Sequence, residues 1–245
     1  SDVCSSDLKK ITLVMLGLSL MIVSQAQTMF DKGVSGLSVF VGSQESYWED
    51  GFYGGLQYTY KGAFDLYGFY GNYQYNKSHL EDMGVTLDTS PKEGVFILGA
   101  EYWVLRTDPG NDRGVNVGIW TEYEMESYTD SEYTYKESLY EDVSGSAFAI
   151  GLDFSVDFTI KKGWRLQPYT WIGKVWAAEE YKQNGTDYKD NVSGTCAGLG
   201  VVLQKMLKNG SSVWLSTEWD MDDLDYANDT AFEMTLGYNL GFGKK

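Results

Sequence analysis

Single acidic side chains recur in stretches of this sequence that otherwise alternate large apolar residues with small ones. Four of these acids fall near the middle of such stretches, and three fall toward one end: Glu101, Glu122, Asp153 and Glu218, and then Glu124, Asp220 and Glu233. A carboxylate held in apolar surroundings needs a partner, a proton or a cation. We therefore predict an acidic cluster whose members are paired, hydrated, protonated or accompanied by cations.

Basic side chains that could neutralise this acidic cluster are scarce. The candidates are Lys174 and Arg165, both in one stretch of the chain. One interpretation is a structural network of ion pairs and hydrogen bonds that fills the interior of a small barrel. The other is a narrow, cation-preferring water path, since the acids outnumber the bases.

A second candidate site is the segment 127–144, in which tyrosines alternate with acids. Its binding candidates are Tyr128, Tyr133, Tyr135 and Tyr140. Tyrosine combines a large contact area with a hydrogen-bonding group, as many binding surfaces require. The segment is either a partner-binding surface or a solvated acidic loop.

His79 is the only histidine, and it lies between Ser78 and the acids Glu81 and Asp82. A rim-site hydrolase could be built on such a base, but neighbouring positions in one loop do not make a preorganised site. One histidine and one cysteine in the mature chain, Cys196, also provide no zinc-type ligand set. We expect no enzyme, no cofactor and no metal.

The elements that position these residues are predicted to be strands. Residues 146–160, SAFAIGLDFSVDFTI, alternate with a period of two, and no stretch shows a sustained helical period. Similar alternation predicts ten strands near 34–42, 52–60, 63–75, 94–105, 114–126, 145–160, 165–177, 194–206, 212–221 and 230–242. Several are long enough to cross a membrane at a tilt.

Connections and faces indicate a membrane barrel. The links after even-numbered strands are brief, whereas most links after odd-numbered strands are longer and polar, which is typical of barrels with short periplasmic turns. Strand faces such as that of Phe148, Ile150 and Leu152 would be turned to lipid, and the opposite faces to the lumen. A soluble secreted barrel, with the faces reversed, is the structural alternative.

The N-terminus indicates export. Lys9 and Lys10 precede a short apolar run and a small-residue site at Ala26, so we expect a signal peptide over 9–26, a non-native scar over 1–8 and a barrel over 27–245. A net charge of −16 argues against nucleic acid as a partner.

With its leader, its strand pattern and LQPYTWIG at 166–173, the sequence resembles the small outer-membrane β-barrel families of Gram-negative bacteria. The resemblance implies an all-β, ten-stranded antiparallel up-and-down transmembrane β-barrel in the outer membrane. One departure is the end of the chain, where Phe242 is followed by GKK instead of closing on an aromatic residue.

From these features we predict a monomeric, non-enzymatic barrel that contacts outer-membrane lipid. Its role is porin-like, for small cations, or structural. The alternatives are a surface adhesion or ligand-binding barrel that binds an extracellular ligand through its acidic, tyrosine-rich loops, and the rim-site hydrolase.

Overall fold

The computed structural model describes residues 30–82, 84–86, 89–107, 113–129, 133–135, 138–207, 211–224 and 227–242. The predicted signal peptide and scar lie outside these residues. The strands are β1 (Ser35–Ser46), β2 (Glu49–Tyr60), β3 (Phe64–Tyr75), β4 (Val85–Thr86), β5 (Lys92–Leu105), β6 (Arg113–Thr129), β7 (Tyr133–Tyr135), β8 (Ser138–Lys161), β9 (Trp164–Gln183), β10 (Thr186–Met206), β11 (Ser212–Leu224) and β12 (Ala227–Phe242). One short helix, α1 (Lys77–Asp82), follows β3.

Ten of these strands form a closed antiparallel ring in the order β1, β2, β3, β5, β6, β8, β9, β10, β11, β12. Pairing of β1 with β12, from Ser35↔Phe242 to Ser46↔Ala231, completes the ring. The short strands β4 and β7 add to one end of β8. The predicted ten-stranded barrel is confirmed.

Strand faces divide as predicted. On β8, Phe148 and Leu152 are 44% and 41% exposed, whereas Ala149 and Asp153 are buried. The large apolar side chains therefore point away from the barrel axis, which suits lipid and not water. We call the end that carries residues 30 and 242 the periplasmic end, because such barrels keep both termini there.

Aromatic side chains mark the two edges of the apolar belt. Pairs such as Phe148–Trp176, with ring centroids 6.1 Å apart, and Trp219–Phe232, at 5.1 Å, lie at the outer edge. Trp164 lies at the periplasmic edge of β9. About 12 residues of β9 separate Trp164 from Trp176, which is roughly 30 Å along the membrane normal at the usual rise and tilt. The belt therefore matches a bilayer.

Beyond the outer edge, the structure corrects the predicted loops. β1 and β2 are joined by only Tyr47 and Trp48, and β9 and β10 by only Asn184 and Gly185. Both residues of the second turn have positive φ, 50° and 77°, which is the geometry of a tight hairpin turn. Most of the segments predicted to be loops are continuations of the strands, so β8, β9 and β10 reach 24, 20 and 21 residues, whereas the segment after β3 contains α1 and β4.

Inside the barrel, large aromatic rings lie over glycines of neighbouring strands. The Trp120 ring occupies the space that side chains at Gly151 and Gly173 would fill, and the Trp214 ring does the same at Gly237. This arrangement lets wide rings fit against the sheet inside a narrow barrel. It explains why a chain so rich in aromatic residues also carries 28 glycines.

Among the described residues, no helix is both long enough and apolar enough to span a bilayer.

Candidate functional site

The first group of lumen acids lies on three adjacent strands. Glu101 of β5, Glu122 of β6 and Asp153 of β8 are each at most 4% exposed. Glu101 interacts electrostatically with Asp153, Asp65 and Glu122. The three predicted acids therefore share one side of the lumen.

Glu218, the fourth predicted member, lies elsewhere. It belongs to a second group with Asp220 on the same strand and Glu233 on β12. Glu218 and Glu233 are directly opposite each other in the β11–β12 pairing. Glu124, predicted to lie with Asp220 and Glu233, is on β6, and Tyr73 interacts electrostatically with both Glu233 and Glu124.

Neutral donors, rather than bases, contact several of the lumen carboxylates, whereas neither oxygen of Glu101 or of Asp220 accepts a hydrogen bond from the described residues. Tyrosine hydroxyls and tryptophan N–H groups donate hydrogen bonds to them, and such bonds to a charged acceptor are the stronger kind. The pairs are Tyr67 to Glu122, Tyr169 and Trp171 to Glu218, Tyr53 to Glu233 at 2.8 Å, and Trp103 to Asp65 at 2.7 Å. The sequence does not reveal these partners, because each pair joins residues distant in the chain.

The predicted inward bases are corrected. Lys174 is exposed on the lipid-facing side of β9, between Ile172 and Trp176. Arg165 forms an ion pair with Asp31 at the periplasmic end. The base that approaches the lumen is Arg106, directly after β5, which donates to the carbonyl oxygens of Phe30 and Gly62 and interacts with Asp65.

Aromatic packing closes the lumen. Phe40, Phe69, Trp120, Trp171 and Trp214 are between 0% and 4% exposed. The rings of Trp120 and Trp171 meet edge to face at 5.8 Å, and those of Phe40 and Phe69 at 6.2 Å. An open water channel would expose the side chains that line it, so these residues form a packed core.

A third group of acids lies inside the outer mouth, above the lipid belt. Tyr75 donates to Glu93 at 2.7 Å, and Tyr128 donates to Glu126 at 2.8 Å. Neither carboxylate oxygen of Glu179 accepts a hydrogen bond from the described residues, although this side chain is fully buried. Burial, and then the charge of Glu126, raise the pKa of Glu179 well above its ordinary value.

The tyrosines predicted to bind a partner are placed differently. Tyr140 is fully buried and packs against Tyr181, with ring centroids 5.8 Å apart, so it is not an exposed loop contact. Tyr128 belongs to the outer-mouth group. Tyr133 and Tyr135 lie on β7, and their side chains are outside the described part of the structure.

The surface that reaches farthest outward is formed by β8, β9 and β10, and we call it the outer extension. It carries a shallow groove of about 450 Å³ whose lining includes Tyr181, Tyr188, Lys182 and Lys189. The two tyrosine rings stack at 5.7 Å. Burial, and then Asp190, raise the pKa of Tyr181, so its hydroxyl keeps its proton and remains a donor.

Lysines of the outer extension are held by acids. Lys182 pairs with Asp142, and Lys189 pairs with Glu180 at 2.7 Å. The hydrogen bond from Lys182 to Asp142 raises the pKa of Lys182. The groove therefore offers aromatic faces, fixed charges and hydrogen-bonding groups, which together suit recognition of a polar partner.

His79 lies in α1 at the outer rim, where its ring stacks on that of Tyr47 at 3.8 Å. Its Nδ1 is 2.5 Å from the backbone carbonyl oxygen of Tyr47, so a carbonyl and not a carboxylate orients the ring. Ser78 donates to Asn76 at 2.7 Å. The serine, histidine and acid of this segment therefore do not form the chain of contacts that a hydrolase needs.

In the described part of the chain, no group of three or more His, Cys, Asp or Glu side chains is arranged so that it could hold a metal ion.

No protein-family model and no curated protein matches this sequence. Solved structures do match its fold. The β domain of the Bordetella autotransporter BrkA is 14% identical, with a TM-score of 0.51, over 85% of this chain and 100% of that one. The translocator domain of the autotransporter NalP from Neisseria meningitidis is 11% identical, with a TM-score of 0.51, over 94% and 96%.

The outer membrane protease OmpT from Escherichia coli is 10% identical, with a TM-score of 0.46, over 85% of this chain and 94% of that one. At these identities the likeness concerns the fold alone. That fold is the outer-membrane β-barrel, and together with the outward apolar belt it places this protein in the outer membrane.

Proposed function

We propose that this protein is a closed, non-enzymatic barrel that acts at the cell surface through its outer extension. The observation that carries the proposal is the pairing of a packed lumen with strands far longer than a membrane requires. β8 has 24 residues, whereas about 9 to 11 suffice to cross.

The packed lumen supports a role other than solute passage. Its aromatic core is buried from Phe40 on β1 to Trp171 on β9. Glu233 and Glu218, beside that core, accept hydrogen bonds from Tyr53 and Tyr169 and so help to hold the interior together. Length beyond the bilayer has no structural use for the barrel wall, and on this proposal it presents the groove around Tyr181 and Tyr188.

A cation-preferring pore is the second candidate, and the acidic lumen favours it. If the core opened, Glu101, Glu122 and Asp153 would attract cations and repel anions. This candidate requires a rearrangement of the aromatic rings, which the first proposal does not.

Planar-bilayer recording separates the two. We expect no stable conductance from the purified barrel in concentrated KCl, because the aromatic side chains that fill the lumen are buried. Steady cation-selective steps would contradict the closed barrel. In that case Glu101→Gln with Glu122→Gln should reduce the cation preference, and the exposed pair Glu45→Gln with Glu180→Gln should leave it unchanged.

A further inference from the structure

Lysines surround one tryptophan ring at the periplasmic rim. Trp164 opens β9, and it lies directly opposite Lys161 of β8 on one side and Lys205 of β10 on the other. The ammonium nitrogen of Lys161 lies 5.4 Å from the centre of the Trp164 ring, and that of Lys205 lies 4.8 Å from it. Lys162 follows in the turn and is exposed. We call these four residues the rim patch.

The described residues supply no acidic partner for the positive charge of the rim patch. None of its three lysines forms an ion pair within the described ranges. Asp157, the nearest acid along β8, points inside the barrel and accepts hydrogen bonds from Asn116 at 3.0 Å and Gln167 at 2.9 Å. The patch therefore presents several cations around an aromatic face.

The position of the patch defines what can reach it. Directly above it, toward the bilayer centre, Ile160 is 57% exposed on the lipid-facing side. Phe158 and Leu166 continue the same apolar surface, and Arg113 lies opposite Phe158 on β6. The patch therefore lies where the apolar belt meets water, at the level of the lipid headgroups.

We propose that the rim patch binds the phosphate of an anionic phospholipid in the inner leaflet of the outer membrane. A headgroup phosphate carries the charge that unpaired ammonium groups attract, and the indole N–H of Trp164 is a donor suited to this interface. The acyl chains would lie along Ile160 and its apolar neighbours. Free phosphate could use the cations but not this apolar surface, so the bound species is a lipid.

Lipid retention measured by native mass spectrometry tests the proposal. The full-length protein in non-ionic detergent is titrated with phosphatidylglycerol or with phosphatidylcholine of the same acyl chains. We expect preferential retention of phosphatidylglycerol, and K161Q with K205Q should weaken that retention roughly 25-fold, since each lysine near an anionic lipid surface contributes about fivefold. Retention of phosphatidylcholine should not change.

The matched control is K61Q with K189Q, which removes the same charge. Lys61 lies 5.1 Å from the Tyr60 ring at another part of the rim, and Lys189 lies on the outer extension. Equal losses in the two double variants would overturn the proposal, as would displacement of the lipid by glycerol 3-phosphate at the same concentration. Heat-modifiable gel migration reports folding, and if the double variant does not fold, each single variant should lose about fivefold.

Discussion

Tyrosine and tryptophan do two things at once inside this barrel. Tyr169 and Trp171 fill lumen volume with their rings, and both donate to Glu218. A lysine in the same place would add a second buried charge that also needs partners. A neutral ring therefore satisfies the carboxylate and packs the core with one side chain.

Because aromatic rings pack closely on glycines, the addition of one methyl group at such a glycine should lower the stability of the barrel. A side chain at Gly151 would place its Cβ against the backbone carbonyl oxygen of Ile172 and 2.5 Å from Cε2 of Trp120. We expect Gly151→Ala to destabilise the barrel by about 1–3 kcal/mol, the usual effect of overpacking. Urea unfolding followed by tryptophan fluorescence measures it.

Gly54→Ala is the control for that substitution, because a Cβ there would meet nothing closer than the Phe40 carbonyl oxygen at 3.4 Å. Equal stability of the two variants would mean that the Trp120 ring can move aside, which would contradict a rigid core.

Glu179 predicts a pH dependence of stability. Its folded pKa is raised by burial and by Glu126. At low pH the acid is protonated in both folded and unfolded chains. As the pH rises past the unfolded value of about 4.3, ionisation favours the unfolded chain, and stability falls until the pH reaches the raised folded value.

Glu179→Gln should therefore raise stability at pH 7 by at least about 1 kcal/mol, because a neutral amide has no ionisation to suppress, and should have little effect at pH 4. Unfolding at both pH values measures it. Glu180→Gln removes the same charge from the outward face, where the acid pairs with Lys189, and should not stabilise. A stabilisation equal at both pH values would refute this explanation.

At the scale of elements, the outer extension is a sheet of β8, β9 and β10 that continues beyond the membrane-spanning part of the barrel. Beyond the lipid belt, β10 residues 186–193 pair with β9 alone, because pairing with β11 begins at Gly194. The outer part of the β9–β10 hairpin therefore lacks a strand partner on the β11 side. This part lies beyond the closed ring.

Replacement of residues 181–188 by Asn-Gly would shorten this hairpin without changing the net charge. Glu180 and Lys189 are paired opposite each other, so a two-residue turn fits between them. We expect the barrel to fold and insert as before, as heat-modifiable migration would report, while surface binding is lost.

Binding can be measured as retention of cells that display either form on a basic lysozyme coat and on an acidic albumin coat. The intact form should be retained severalfold better on the basic coat. Equal retention of the two forms would exclude the hairpin as the binding element, and a shortened form that fails to fold would show that the hairpin serves the barrel instead.

At the scale of the whole molecule, charge is divided along the barrel axis. The outer end carries most of the acids, including Glu141, Asp142 and Asp187, whereas bases such as Lys61, Lys161 and Lys205 collect at the periplasmic rim. The net charge of −16 is therefore unevenly distributed, with the excess of acids at the outer end.

The fold was predictable wherever one strand face was apolar and the other was not. β8 meets that condition, and its faces were predicted correctly. β9 does not: Tyr169 and Trp171 lie on one face and Ile172 and Trp176 on the other, so alternation could not place Lys174.

Connections and partners were harder to predict, for different reasons. The Asn184-Gly185 pair is a strong hairpin signal that would have corrected the predicted loop after the seventh strand. By contrast, no local pattern reports that Tyr67 donates to Glu122, since the two are 55 residues apart and meet only when the ring forms.

The seam between β1 and β12 has a consequence for how the protein is assembled. Residues 35–46 find their partners only in residues 231–242, so the most distant parts of the chain must meet before either edge is satisfied. Contacts of such long sequence separation form slowly, and an unpaired strand edge invites association with other chains. A nascent form lacking the last strand would thus be an open sheet prone to aggregation, and the time between export and seam formation is when this protein most needs a chaperone.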